Sequence, residues 1–279
     1  MKAMNRHSLL VASAITALGL AAIRGGAIAQ QGTASEQKAN PATAEVRQAL
    51  APAGRLRVGV YPDSPYSMIR DPVSGEVKGI AIELGQALAL RLGVPYEQVE
   101  FRRPAEIYEA LKAGQVDMTV ANATPARADE FAWSPPVLLV ELGFLVPSGS
   151  PIAAIGEIDR PGLRVGVTQG GSMNSALAHD LKSASVVPAA TLKAGIEMLA
   201  KHKIDAYATN KANLFEMSDA LPGSRVLDGR WGLEHVAIAM PKGRDAGAAY
   251  MRAFVEDAKS AGLIAQAAAR VALRGLAAE

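Results

Sequence analysis

The residues Leu56-Arg57-Val58-Gly59-Val60 recur unchanged as Leu163-Arg164-Val165-Gly166-Val167, and turn-forming residues follow both copies. A short run of apolar and β-branched residues is typical of a strand that is buried on both faces of a parallel sheet. A second similarity lies downstream, where residues 111–117 resemble residues 199–205. Each of these segments ends in an aspartate, and an asparagine follows five residues later. The sequence therefore predicts two α/β units with the same order of strands and helices.

Length and composition set outer limits on the function. At 279 residues the chain can bury a full core in each of two lobes of about a hundred residues. Three of its 29 Lys and Arg residues lie before residue 30, which leaves 26 basic against 27 acidic residues in the rest. That balance provides no basic footprint for nucleic acid. The absence of cysteine excludes disulfides, thiol nucleophiles and thiolate metal sites.

Residues 1–29 have the pattern of a secretory signal peptide. A basic start precedes an apolar stretch of 14 residues, Leu9 to Ala22, and Ala27-Ile28-Ala29 supplies a small-x-small cleavage site. The apolar stretch is short for a transmembrane helix, and an uncleaved N-terminal anchor is the alternative. Cleavage after Ala29 predicts an exported, periplasmic protein.

Apolar periodicity predicts alternating strands and helices in both units. In the first unit, strands at residues 56–60, 99–101 and 116–120 alternate with helices over residues 80–92 and 105–113. Such an order requires parallel strands with right-handed crossovers, and the second unit repeats it from residue 163. We therefore predict an α/β fold of two lobes, each a mostly parallel sheet flanked by helices, joined by a two-strand hinge.

The expected domain boundaries follow from two extended segments, residues 138–146 and 235–240, which we interpret as the passages between the lobes. A flexible N-terminal lead with one helical stretch at residues 44–50 should precede the first lobe. The C-terminal, alanine-rich stretch, residues 246–276, should be helical and pack back on that lobe. The predicted order is residues 1–29 signal peptide, 30–54 lead, 55–145 lobe one, 146–238 lobe two and 239–279 the return to lobe one.

Candidate binding residues follow from a rule of open α/β sheets, whose ligands bind beyond the carboxyl ends of the strands, near helix N-termini. The rule selects Asp63, Tyr66, Asn122, Thr124, Arg127, Gly171, Ser172 and Asn210. Arg127 stands out because a cation is unfavourable in the first turn of a helix, where Thr124-Pro125 places it. A guanidinium that grips a carboxylate explains this position, and an ordinary surface pair with Asp129 or Glu130 is the alternative.

The other candidates each have a structural alternative. Gly170-Gly171-Ser172 would let backbone N–H groups approach an anion, although the lysine of a phosphate loop is missing. Asn122 and Asn210 could donate and accept hydrogen bonds, or simply form turns. Asp63 and Tyr66 could offer a charge and a ring face to a cationic group. The histidines lack ligand-like spacing, so we expect no metal and no cofactor.

In their order along the chain, these segments resemble the bacterial extracellular solute-binding proteins of family 3, the periplasmic components of polar amino-acid ABC importers. The similarity spans residues 56–275 and rests on residues 56–60, 65–66, 79–84, 111–117, 124–127, 162–171, 204–206 and 240–243. It implies a hinged protein that delivers a small polar solute to membrane permease subunits. It also implies that Arg127 holds the substrate carboxylate, helped by Asn122, Thr124, Gly171 and Ser172.

Two positions depart from the family pattern. Asn210 stands where the family has an aspartate that holds the substrate ammonium, and Arg103-Pro104 stand where a second aromatic residue is usual. The resemblance therefore implies an intact carboxylate half of the site and a weakened ammonium half. Asp63 could compensate, or the ligand could differ from an ordinary α-amino acid.

Two other functions are compatible with the sequence. One is an enzyme similar to cyclohexadienyl dehydratases, for which Glu141 or Asp63 would be the general acid. The other is a ligand sensor that binds a receptor. We expect a monomer, since the protein would have to dock on a permease.

Overall fold

The computed structural model describes residues 42–62, 64–71, 73–169 and 172–277, with only the backbone of Ser172. The predicted signal peptide and residues 30–41 of the lead lie outside this range. The helices are α1 (Ala44–Leu50), α2 (Ile80–Leu92), α3 (Pro104–Lys112), α4 (Pro125–Ala128), α5 (Ser172–Asp180), α6 (Leu192–Ala200), α7 (Lys211–Ala220), α8 (Asp245–Ser260) and α9 (Leu263–Arg270). The strands are β1 (Leu56–Val60), β2 (Ile69–Arg70), β3 (Val77–Lys78), β4 (Tyr96–Glu100), β5 (Thr119–Asn122), β6 (Phe131–Val146), β7 (Arg164–Thr168), β8 (Ser185–Ala189), β9 (Ala206–Asn210), β10 (Arg225–Val226) and β11 (Gly232–Pro241).

Two long antiparallel strands, β6 and β11, run through both lobes. In lobe one (α1–α4, β1–β5, α8 and α9), β11 pairs with β5, and β1 runs parallel to β4 and to Met118, just before β5. In lobe two (β7–β10 and α5–α7), β6 pairs with β9, and β9, β7 and β8 are parallel to one another. The predicted fold is confirmed: two mostly parallel sheets flanked by helices and joined by a two-strand hinge.

The helix α2 shows how the apolar pattern of the sequence builds the core of lobe one. Its residues Ile80, Leu84 and Leu88 recur at helical spacing and are completely buried beside Val58 of β1. The helix ends where predicted because Gly93 adopts a left-handed conformation (φ 71°) that side chains disfavour. Lobe two has its own apolar clusters around β7 and β9.

The repeated pentapeptide carries the same ion pair in both lobes. The backbone N–H and the guanidinium of Arg57 donate to Asp117 over 2.8–3.0 Å, and Arg164 donates to Asp205 over the same distances. Asp117 ties the start of β1 to the segment that leads into β5, and Asp205 ties the start of β7 to the segment that leads into β9. The equivalent Arg–Asp ion pairs therefore give a structural reason for the repeated pentapeptide.

Three expectations need correction. Both passages come earlier than the expected boundaries, because Leu142–Leu145 pair with β9 of lobe two and Val236–Ala239 pair with β5 of lobe one. Residues 42–51 are not a flexible lead, since Leu50 is buried in lobe one against Gly247 of α8. The C-terminal helices end at Arg270 rather than continuing to residue 276.

Among the described residues, no helix has both the length and the hydropathy that crossing a bilayer requires.

Candidate functional site

A cavity of ≈ 390 Å³ lies between the two lobes, beyond the carboxyl ends of β1, β5 and β9. Its size is that of a small-molecule site. Four residues that the sequence selects line it: Tyr66, Asn122, Arg127 and Asn210. The other lining residues are Tyr61, Ser64, Pro65, Pro104, Ile107, Tyr108, Thr119, Val120 and Ala121 from lobe one, Leu192 and Asn213 from lobe two, and Glu234 from β11.

Arg127 is half-buried in the short helix α4 and stacks on an aromatic ring. Its guanidinium carbon lies 4.4 Å from the centroid of the Tyr108 ring, a cation–π contact that fixes the side chain against lobe one. The surface-pair alternative is not observed, since Glu130 instead pairs with Lys112 at 3.3 Å. No acid of the described range lies within 4 Å of the Arg127 guanidinium. The positive charge is thus available to the cavity.

Three tyrosines surround the cavity on the lobe-one side: Tyr61, Tyr66 and Tyr108. Burial raises the pKa of all three phenols, so the rings are neutral at physiological pH. The Tyr61 hydroxyl lies 3.1 Å from the Ser64 hydroxyl. The Tyr66 hydroxyl is buried and has no hydrogen-bond partner in the described part of the chain, which leaves it free to bind a ligand atom.

Glu234, which the sequence analysis missed, brings a carboxyl group to the cavity from the hinge strand β11. The side-chain amide of Asn210 donates to Glu234 Oε2 over 2.9 Å, while its oxygen accepts from the backbone N–H of Asn213 over 3.0 Å and caps α7. Burial raises the pKa of Glu234, although Asn210 and Asn122 both lower it. Of these two amides, Asn210 has both the distance and the angle of a hydrogen bond to the Glu234 carboxyl group.

Strand register explains why Glu234 meets two asparagines. Val236 of β11 pairs with Asn122, the last residue of β5, so Glu234 extends just beyond the end of that strand. Glu234 pairs with Val140 of β6, and two residues later Leu142 pairs with Asn210. The equivalent asparagines of the two repeat units therefore lie on either side of one carboxyl group.

A second cavity of ≈ 270 Å³ extends the cleft toward the start of α5. It shares Asn122 and Glu234 with the first cavity, and Thr124, Met173 and Trp231 are among its other lining residues. Thr124 is the N-cap residue of α4, but its side chain makes no capping hydrogen bond. Its hydroxyl is therefore not engaged by the helix that it begins.

The remaining candidates have different outcomes. Asp63 and Gly171 lie outside the described residues, and Ser172 begins α5 without a described side chain. Glu141 was a wrong choice for a catalytic acid in the cleft, because it does not line the cavity and pairs with Lys211 at 2.6 Å. Pro104 does line it, whereas Arg103 is exposed and pairs with Glu106. No group of His, Asp and Glu among the described residues is arranged to hold a metal ion.

Comparison with known proteins agrees with this architecture. The family model of bacterial extracellular solute-binding proteins, family 3, matches residues 56–271. The ABC transporter glutamine-binding protein GlnH of Bacillus subtilis (strain 168) is 24% identical over 259 residues, which cover 91% of this chain and 92% of that protein.

Solved structures show the same fold at low sequence identity. An amino acid ABC transporter substrate-binding protein from Streptococcus pneumoniae, bound to L-arginine, has a TM-score of 0.65 at 21% identity, over 85% of this chain and 100% of the other. An ancestral amino acid-binding protein, described as a precursor of cyclohexadienyl dehydratase, has a TM-score of 0.63 at 23% identity, over 78% and 95% of the two chains.

Proposed function

This chain belongs to the bacterial extracellular solute-binding proteins of family 3, and we propose that it binds a small carboxylate-bearing polar solute between its lobes. The solute class is an amino acid or a related compound. The protein would bind it in the periplasm, as a monomer, and deliver it to the membrane subunits of an ABC permease. Relatives named as components of amino-acid ABC transporters support this assignment.

The observation that carries the proposal is the state of Arg127. The Arg127 guanidinium is half-buried, stacks on Tyr108 and pairs with no described acid. A partly buried charge without a partner is unfavourable, so an anionic ligand would stabilise it. Its planar fork matches a carboxylate in a bidentate geometry. Burial of such a ligand between the lobes would exclude water and strengthen the contact.

Other groups would complete the carboxylate half. The side chains of Asn122 and Thr124 lie at the end of β5 and the start of α4, next to Arg127 in the chain. From lobe two, the start of α5 with Gly171 and Ser172 would offer N–H groups to the same anion. Asp63 and the rings around the cavity would contact the rest of the solute.

Thermal unfolding of the purified protein against a panel of L-amino acids, opines, polyamines and small carboxylates tests the proposal. A ligand at one hundred times its Kd stabilises the folded state by about 2.7 kcal/mol, a shift of several degrees. We expect carboxylate-bearing compounds to produce this shift and Arg127→Ala to abolish it. Arg103→Ala is the matched control, since that exposed arginine does not line the cavity and should leave the shift intact. Shifts that persist in Arg127→Ala would contradict the assignment.

A second candidate is a dehydratase that acts on a carboxylate-bearing cyclohexadienol, which one specific observation favours. Glu234 is a carboxyl group of raised pKa in the same cavity as Arg127, as a general acid for loss of water requires. Incubation with prephenate and detection of its aromatic product separates the two functions. Turnover that Glu234→Gln abolishes would establish the enzyme, whereas binding without turnover supports the solute-binding protein.

A further inference from the structure

We propose that Glu234, held by Asn210, is the cation-binding group of the cleft, so that the ligand carries a protonated nitrogen as well as a carboxylate. This inference rests on the proposed function and narrows its substrate class. It also assigns the charge to the hinge strand β11, and not to the lobe-two position 210, where the ammonium contact was expected.

The two charges of the cavity are arranged for a ligand of mixed charge. Among the described lining residues, Arg127 is the only base and Glu234 the only acid, and the two side chains do not pair with each other within 4 Å. Both line the cavity that Tyr61 and Tyr108 also line, and the Arg127 guanidinium stacks on the Tyr108 ring. An ionised, half-buried carboxylate repels a purely anionic solute and is stabilised by a cationic group.

Asn210 presents the Glu234 carboxyl group rather than neutralising it. Its two hydrogen bonds, to the Asn213 N–H and to Glu234 Oε2, use both ends of the amide and fix its orientation. A carboxylate has about four acceptor positions, so one amide donor leaves room for an ammonium or guanidinium. Asn210 itself is buried, with 6% of its surface exposed, and it lines the cavity beside Glu234.

The rings of the cavity suit the same cation. Tyr61, Tyr66 and Tyr108 line the cavity with Glu234, and burial, with a smaller effect of the Glu234 charge, raises the pKa of all three phenols. A cationic nitrogen beside Glu234 could therefore contact ring faces as well as the carboxylate. The orphaned Tyr66 hydroxyl offers one further polar contact at this side of the cavity.

Calorimetric titration with matched probes tests the assignment. The probes are the twenty L-amino acids and the deamino acid of each one that binds, for example L-glutamine with glutaramic acid and L-arginine with 5-guanidinopentanoic acid. Loss of a charge-assisted contact should weaken binding of the amino acid to Glu234→Gln by roughly 10- to 100-fold. Binding of a deamino acid that lacks any cationic group should change little, because it makes no ion pair there.

The double variant Glu234→Gln/Asn210→Asp provides the control for folding and for position. It moves the negative charge across one hydrogen bond and should recover much of the amino-acid affinity that Glu234→Gln loses. Thermal unfolding without ligand establishes that each variant is folded.

The outcomes separate the inference from the proposed function. Equal losses for an amino acid and its uncharged deamino acid in Glu234→Gln would overturn the inference, and so would tight binding of carboxylates that carry no cation. Absence of any carboxylate binding, or binding that survives Arg127→Ala, would overturn the proposed function itself. Selective loss of the amine-bearing probes, with recovery in the double variant, would establish Glu234 as the cation-binding group.

Discussion

Replacing Asp117 with asparagine should destabilise the protein far more than the same change at Asp205, although the two residues are equivalent in the repeat. The Asp117 side chain is fully buried and accepts from the Arg57 backbone, the Arg57 guanidinium and the Arg244 guanidinium over 2.8–3.0 Å. Asp205 accepts from Arg164 in the same geometry, but 29% of its side chain is exposed. In the described structure, no second arginine pairs with it.

The expected magnitude follows from this difference in burial. Arg57 and Arg244 have only 17% and 13% of their side chains exposed, so loss of the shared carboxylate leaves two poorly solvated cations side by side. Removing one member of a buried ion pair costs about 3–5 kcal/mol. A chain of this size loses about 2–4 °C of Tm per kcal/mol, so Asp117→Asn should lower the Tm by at least ~6 °C. Asp205→Asn should lower it much less, because solvent screens an exposed pair.

Urea and thermal unfolding of the two variants without ligand measure the comparison directly. Arg244→Met serves as a companion, since it removes the second arginine but leaves the Arg57–Asp117 pair, whose equivalent in lobe two is Arg164–Asp205. If Asp117→Asn and Asp205→Asn lost equal stability, the repeated geometry and not the burial would set the energy. The reasoning would then be refuted.

Two further results should follow from the structure. Affinity for an amine-bearing ligand should fall as the pH is lowered through the pKa of Glu234, which burial raises above its ordinary value, because only the ionised form, present above that pKa, pairs with a cation; titration calorimetry over a series of pH values measures the effect, and a pH-independent Kd would contradict it. Gly195→Ala should destabilise lobe two by about 1–3 kcal/mol, because its new Cβ would lie 2.3 Å from the buried Tyr207 ring. Gly156→Ala, with no atom within 4 Å of the new Cβ, should leave the Tm unchanged, and equal effects of the two substitutions would count against the packing argument.

The sequence predicts the local elements well because their signals are local. Apolar spacing and a terminal glycine define α2 to the residue, and the repeated pentapeptide marks β1 and β7. The helix α7 was not predicted, although Asn210 and the residues after it form a capped helix. The strand pattern predicts Asn210 as the end of a strand and a ligand contact, and this prediction does not include its capping hydrogen bond to the following helix.

Long-range pairing accounts for what the sequence could not reveal. The passage boundaries depend on which lobe each part of β6 and β11 pairs with, and pairing partners are far apart in the chain. The choice of Glu141 failed for a related reason. Neighbours in a strand point to opposite faces, and Glu141 pairs with Leu233 while Glu234 pairs with Val140, so the two acids lie on different faces. Only the register between β6 and β11 distinguishes them.

If Glu234 binds the ligand cation, its location on the hinge strand would connect ligand chemistry with movement of the lobes. A carboxylate held by Arg127 would contact lobe one, whereas a nitrogen held beside Glu234 would lie next to Asn210 of lobe two, whose amide donates to Glu234. A ligand shifts an open–closed equilibrium only by its difference in affinity for the two states. A solute with both charges would therefore favour closure through both lobes, while a simple carboxylate would stabilise mainly the lobe that it contacts. A ligand with both charges would then be distinguished from a simple carboxylate in two ways: it would bind more tightly, and it would raise the fraction of protein in the closed state.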